Sequence, residues 1–266
     1  ATYLPSDAQV SQVLRSAVYF RIGVPSEEAP WLGAIRSAGV EIVDLRNGVD
    51  LLQMARGHHS EETVQNEDGA ESEDGAESED GAESEDGAES EDGAEAPAPA
   101  GQPGKDPHIW LSPKRLGQMA ATITDHLARL DPPSAELYQQ RLASLEQRVA
   151  SLDAELGTKL ADLTGRAFLV FHPAWGYFAN DYGLRQLAVE VEGKEPSEAE
   201  VTQLQEIARR EGIRAVFVQP QINSRSAQGI AQAIDGRTEI LDPLKPDVLD
   251  NLSQVGDRIV RAVAGS

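Results

Sequence analysis

The sequence predicts an α/β protein of two lobes, each a parallel β-sheet flanked by helices, joined by one long α-helix. Three observations lead to that fold class. Short apolar runs alternate with amphipathic segments in both halves of the chain, the order expected of parallel strands with helical crossovers. Between the halves lies a stretch of 30 residues, Ser134 to Leu163, with apolar residues at helical spacing throughout. The total of 266 residues accommodates two lobes of about a hundred residues each.

The elements follow in order. A helical stretch from about Asp7 to Ser16 precedes the buried-strand pattern Ala17-Val18-Tyr19-Phe20-Arg21-Ile22-Gly23. Ser26 to Ala38 reads as a second helix, with Ser26 as N-cap and acidic residues in its first turn. Val40–Leu45 is the next strand, and Lys114 to Leu130 is a helix closed by Asp131-Pro132-Pro133. In the long helix, Tyr138, Leu142, Leu145, Val149, Leu152, Leu156, Leu160 and Leu163 form one stripe about 45 Å long. Such a stripe suits a coiled-coil dimer or a single helix packed along both lobes. The second reading is preferred because the flanking α/β patterns supply the apolar surface to cover it. Beyond it come strands at 167–171, 187–191, 215–218 and 238–241, with helices at 197–211, 224–234 and 248–263. The expected division is therefore an N-terminal lobe over 1–131, the linking helix over 134–163 and a C-terminal lobe over 164–266.

Charge is concentrated in one place. The formal net charge is -22, but residues 61–95 hold 17 acidic residues and no Lys or Arg, leaving 28 acidic against 23 basic elsewhere. From Glu67 the hexamer Glu-Asp-Gly-Ala-Glu-Ser repeats four times, then breaks at Glu91-Asp92-Gly93-Ala94-Glu95-Ala96. The unit has no apolar residue larger than Ala to fill a β-helical coil and lacks the ligand spacing of an EF-hand. It reads as a disordered acidic insertion in the first lobe, about 58–104 with its Pro/Ala/Gly continuation. A mildly acidic remainder argues against nucleic-acid binding, which needs a basic face. With no cysteine, disulfides and thiolate metal sites are excluded. No apolar run is long enough for a membrane span.

Two histidines stand out, in Asp106-Pro107-His108-Ile109-Trp110-Leu111-Ser112-Pro113 and Phe171-His172-Pro173-Ala174-Trp175-Gly176-Tyr177-Phe178. His172 directly follows an apolar strand, where open parallel sheets bind their ligands. Asp242 holds the equivalent place after 238–241, and His108 lies across the linking helix. Two imidazoles and a carboxylate converging on a cleft between the lobes suit Zn²⁺, with Mn²⁺ or Fe²⁺ as alternatives. Taken singly, each has a plainer reading: a histidine before a helix is often a cap, and a carboxylate after a strand is often a turn residue. His126, inside a helix beside Asp125, reads as a solvated face residue, and His58 and His59 head the acidic insertion. A zinc hydrolase shares this ligand set, but there is no His-Glu-x-x-His helix, and Glu192 or Glu195 would have to act as base. An adhesin-like or cation-buffering interaction protein, with the acidic repeat as its active part, is the other rival.

The two histidine motifs resemble those of the metal-binding subunits of bacterial ABC importers, the zinc/manganese solute-binding family called cluster A-I or ZnuA/TroA-like. Tyr182-Gly183-Leu184, Glu192-Gly193-Lys194-Glu195-Pro196-Ser197 and Leu241-Asp242-Pro243-Leu244 are similar to further motifs of that family, in the same order. Tyr3-Leu4-Pro5-Ser6-Asp7 and Tyr19–Gly23 fit its first lobe. The resemblance implies a non-enzymatic, periplasmic or extracytoplasmic protein that captures a metal ion and passes it to an ABC permease and its ATPase. It implies His108, His172 and Asp242 as metal ligands, and a monomer. A histidine at position 172, where manganese-selective members tend to have Glu, leans the choice to Zn²⁺ over Mn²⁺. Zinc-type members carry a His- and acid-rich loop where this chain has its acidic repeat, so weak cation gathering is the expected role here. The family's first histidine ligand and opening strand and helix belong upstream of Ala1. The chain is therefore expected to be a fragment or truncated gene model, or to use three protein ligands and a water.

Overall fold

The structure, a computed structural model, describes residues 5–24, 27, 31–54, 104–190, 194, 196–221 and 225–264. Its first sheet pairs β1 (Val18–Arg21) with β2 (Glu41–Asp44) in parallel, Val18 opposite Glu41. Helix α1 (Asp7–Val13) precedes it, started by a capping box in which Ser6 and Gln9 satisfy each other's backbone N–H groups. Helix α2 (Trp31–Ser37) makes the crossover from β1 to β2. Its described part lies within the predicted 26–38 helix; the proposed N-cap Ser26 lies outside the described residues. So does the acidic insertion between 55 and 103, with His58 and His59. The chain on either side of the insertion is paired: Met54 N–H donates to Gly104 C=O at 2.7 Å, and Asp106 N–H to Leu52 C=O at 2.9 Å.

Helix α3 (Pro113–Leu130) begins where Ser112 Oγ accepts the Arg115 N–H and Pro113 occupies the first turn, where a missing N–H costs nothing. Two prolines then turn the chain into α4 (Ala135–Leu160), 26 residues and about 39 Å long. One flank of α4 lies on α3 and the other on α8 (Val248–Ala264), so the linking helix packs along both halves of the molecule. Its stripe is covered progressively: Leu142 and Leu145 are half-buried, whereas Val149, Leu152, Leu156 and Leu160 are buried. The approach to α8 is close because Gly256 has no side chain; a Cβ there would lie 2.5 Å from Leu156 Cδ2.

The second sheet is built of β3 (Ala167–Val170), β4 (Arg185–Ala188), β5 (Ala215–Val218) and β6 (Arg237–Ile240), all parallel, in the spatial order β4-β3-β5-β6. Period-two alternation sends Ala167, Leu169 and Phe171 to one face. There they meet α6 (Glu198–Arg210) and α7 (Arg225–Ala233). Phe168 and Val170 face the other way, into the core shared with α4 and α8. The connections leave β3 and β5 in opposite directions, so the crevice where ligands bind in such sheets opens beyond the carboxyl ends of those two central strands.

Two expectations are corrected, and a third, that each histidine precedes a helix, is met by short helical turns. The outer strands β4 and β6 begin two residues and one residue earlier than their apolar runs, because an edge strand tolerates polar residues such as Arg185, Gln186 and Arg237. A short helix, α5 (Gly176–Asp181), and a 3₁₀ turn at Ile109–Leu111 follow the two histidine motifs; both are too short for a periodic signal. His126 is half-buried, not fully solvated. Its ring lies edge-on to Phe20 with centroids 6.1 Å apart, and Nδ1 is 3.0 Å from Glu41 Oε1. The first sheet covers that helix face, which the helix's own periodicity cannot reveal.

Burial of Leu156 between α4 and α8 predicts that Leu156→Ala lowers the unfolding free energy by about 2–5 kcal/mol. Urea titration of the metal-free chain checks this. A loss below about 1 kcal/mol, the range of a mild core change, would show that the linking helix is not held by this seam.

Candidate metal centre

Two turns meet at the crevice. In the first, Asp106-Pro107-His108 leads into the 3₁₀ turn and then α3, with Leu111 N–H bonded to His108 C=O at 3.1 Å. In the second, His172 leaves the end of β3 just after Phe171, whose N–H donates to Phe217 C=O of β5 at 2.7 Å. The turn after it is fixed by Ala174 N–H to His172 C=O and by Trp175 N–H to the Gln186 side-chain carbonyl. Each turn is thus set by backbone bonds to a stable element.

The two imidazoles face one another, with His108 Nε2 and His172 Nε2 3.3 Å apart. At the far side of each ring stands a carboxylate. Asp106 Oδ1 is 2.7 Å from His108 Nδ1 and also accepts the His108 backbone N–H at 2.9 Å. Both oxygens of Glu190 lie 3.2 Å from His172 Nδ1. An ionised carboxylate can only accept, so each Nδ1 is placed to donate, and a neutral ring in that tautomer turns its Nε2 lone pair toward the other ring. Two lone pairs at this distance repel unless a proton or a cation lies between them. The spacing matches the edge of a coordination tetrahedron: zinc–nitrogen bonds of 2.0–2.1 Å set two ligand nitrogens about 3.3–3.4 Å apart.

The two turns are also clamped together from behind. Tyr177 of α5 donates to Asp106 C=O at 2.8 Å and accepts from Leu52 N–H at 3.2 Å. Burial, reinforced by the charge of Asp106, pushes the Tyr177 hydroxyl up to about 12, so it keeps its proton across the physiological range. Ser112 donates to Asp181 Oδ2 at 2.5 Å, and Arg115 pairs with Asp181 while lying over the Tyr177 ring. Gly176 lets Asp106 approach, since a Cβ at that position would sit 2.7 Å from Asp106 Oδ2.

Asp242 is reached from the other side. It follows β6, and its Oδ1 accepts from Leu244 N–H and Gln221 Nε2, both at 3.0 Å. The turn is tied to the first motif, because Trp110 Nε1 donates to Pro243 C=O at 2.9 Å while its ring lies 5.3 Å from that of His108. The structure thus brings His108 and His172 together and sets Asp242 one hydrogen-bonded turn away. Among the described residues no set of three His, Asp or Glu side chains forms a ready-made metal site. Sequence reasoning passed over Glu190, read only as part of a strand, and gave Asp106 no role of its own. No local signal marks the first, whose place beside His172 comes from sheet register; Asp two residues before His was the available signal for the second.

Residues 1–262 match the family model described as zinc-uptake complex component A, periplasmic. The chain belongs to the ZnuA family. It is a family of solute-binding proteins, not of enzymes, and its members are components of zinc uptake. Among curated relatives, the chain is 30% identical over 142 residues to the zinc-binding protein AdcA of Streptococcus pyogenes, covering 53% of this chain and 28% of that protein. It is 28% identical over 164 residues to the high-affinity zinc uptake system protein ZnuA of Brucella abortus, covering 60% and 48%. The chain therefore matches less than half the length of these relatives. A crystal structure of a ZnuA superposes with a TM-score of 0.75 at 32% identity, covering 98% of this chain and 85% of that one. A zinc-bound deletion mutant of a ZnuA gives 0.73 at 31%, covering 98% and 84%. Among the described residues no helix is long and apolar enough to cross a membrane.

The close packing at Gly176 yields a direct test of the clamp. Gly176→Ala should lower stability by about 1–3 kcal/mol, the usual range for overpacking a filled site. Unfolding of the metal-free protein measures it, and unchanged stability would mean that Asp106 is not confined as described.

Proposed function

We propose that this chain captures Zn²⁺ outside the cytoplasm between two lobes and delivers it to the membrane permease and ATPase of an ABC importer. The observation that carries this reading is the 3.3 Å approach of His108 Nε2 and His172 Nε2, each imidazole backed by a carboxylate at Nδ1. Imidazole nitrogens are borderline donors, a better match to Zn²⁺ than to the harder Mn²⁺, and the relatives AdcA and ZnuA are described as zinc-binding and zinc-uptake proteins. Asp242 is the proposed carboxylate ligand, carried by a turn already fastened to the His108 motif through Trp110. The proposed lobes are 1–131 and 164–266, with 134–163 as the link and a monomer as the working unit.

Isothermal titration with Zn²⁺ and Mn²⁺ tests the site. His108→Ala and His172→Ala should each weaken zinc binding by about a hundredfold or more, at or above the upper end of outer-shell effects. Asp242→Asn should weaken it about tenfold or more. Unchanged zinc affinity in His172→Ala sinks the assignment. Affinity should also fall as the pH is lowered, because protons and the metal compete for the same Nε2 lone pairs.

The acidic repeat is proposed to gather cations weakly and not to bind the transported ion. Deleting residues 61–95 should leave tight zinc binding intact. Loss of binding in the deletion favours instead a cation-buffering protein whose active part is the repeat.

A further inference from the structure

We propose that Asp106 and Glu190 are positioning residues that hold His108 and His172 in the Nδ1–H tautomer, so that both Nε2 lone pairs are ready before the metal arrives. This depends on the reading of His108 and His172 as ligands and extends it to residues that do not touch the ion. Both carboxylates are largely buried, Asp106 at 2% and Glu190 at 9% exposure. Each stands on the Nδ1 side of its ring, pointing away from the shared Nε2 position, so neither can bind the same ion as the nitrogen it supports.

The two arise from different parts of the fold. Asp106 is local: its Oδ1 takes both the ring Nδ1–H and the backbone N–H of the residue two positions on, and Tyr177 and Gly176 confine it from behind. Glu190 is a product of sheet register. Beyond the end of β4 the ladder continues with Val189 N–H to Val170 C=O and Glu190 N–H to Phe171 C=O, which sets Glu190 beside the residue that follows Phe171. Any one-residue slip in that pairing would turn Glu190 to the opposite face.

The physical effect is preorganisation. A free neutral histidine side chain favours the proton on Nε2, the wrong nitrogen for this geometry. A carboxylate on Nδ1 reverses that preference, fixes the ring plane and makes Nε2 a stronger donor. Loss of such outer-shell partners typically weakens metal binding 10- to 100-fold. The His108 support, with two bonds at 2.7 and 2.9 Å, is the tighter; the His172 support is longer and shared between two oxygens.

Zinc affinity by chelator competition is measured on the full chain for wild type, Glu190→Ala, Glu190→Gln, His172→Ala and the double variant His172→Ala/Glu190→Ala. Glu190→Ala should lose about 10- to 100-fold, Glu190→Gln less because its amide oxygen still accepts. Glu190→Ala should have no further effect once His172 is absent. Nitrogen-15 spectra of the metal-free protein at neutral pH should show His172 protonated on Nδ1 in wild type and shifted to Nε2 in Glu190→Ala. A purely structural role for Glu190 moves neither the tautomer nor the coupling to His172. If His172→Ala weakens zinc binding but Glu190→Ala does not, the positioning role is wrong and the ligand reading stands. If His172→Ala has no effect, the ligand reading itself fails. Asp106→Asn, which keeps an acceptor for both His108 donors, carries the same test to the first imidazole should Asp106→Ala fail to fold.

Discussion

Everything in this molecule is arranged around two imidazole nitrogens held 3.3 Å apart with their lone pairs facing. A proton or a cation between the nitrogens satisfies that contact, and the surrounding fold sets the distance. His172 is held by the central strand of a four-stranded sheet, and His108 by a turn that runs into the capped start of α3. Tyr177, Asp181 and Arg115 then fasten the two turns to each other through bonds that do not involve the rings.

Much of this was legible in the sequence, and the pattern of what was not is informative. The central strands β3 and β5 are continuous apolar runs because both faces are covered, so they announce themselves. The edge strands are half polar and were placed late by one or two residues. His108 and His172 could be singled out because chain position relative to a strand or helix is a local property. Glu190 could not, because its pairing with His172 across 18 residues is created by parallel register, which no local spacing encodes. His126 was misjudged for the same reason: the element that covers it, β2, lies 85 residues earlier. Asp242 remains the residue for which sequence and geometry say least in common, since the motif places it at the site and the structure holds its Oδ1 in a turn of its own.

Net charge is a poor guide to this site. Of the formal -22, most lies within 61–95, and the remaining residues sum to -5. At physiological ionic strength, exposed charges act over roughly 8 Å. A run of carboxylates can raise the local cation concentration but does not discriminate between divalent ions. Selectivity must come from donor type and geometry at short range, and there the chain places imidazoles, not carboxylates, in opposition. On the proposed function, the acidic repeat and the histidine pair would therefore serve different physical purposes.

On the proposed function the bound ion must also leave, and the linking helix restricts how. Separating the two halves widely would pull α4 from α3 or from α8, exposing leucines such as Leu156 and Leu160 that are now wholly covered. Each such side chain is stabilised by about 1.5–3 kcal/mol through burial. On that function release would be cheaper through the weaker support near the metal, the long, shared contact between Glu190 and His172. The tight support under His108 makes that ring the fixed member of the pair. On the proposed function, the same asymmetry that lets one imidazole stay in place would let the other yield, so that capture and release would need a local rearrangement and not a wide hinge.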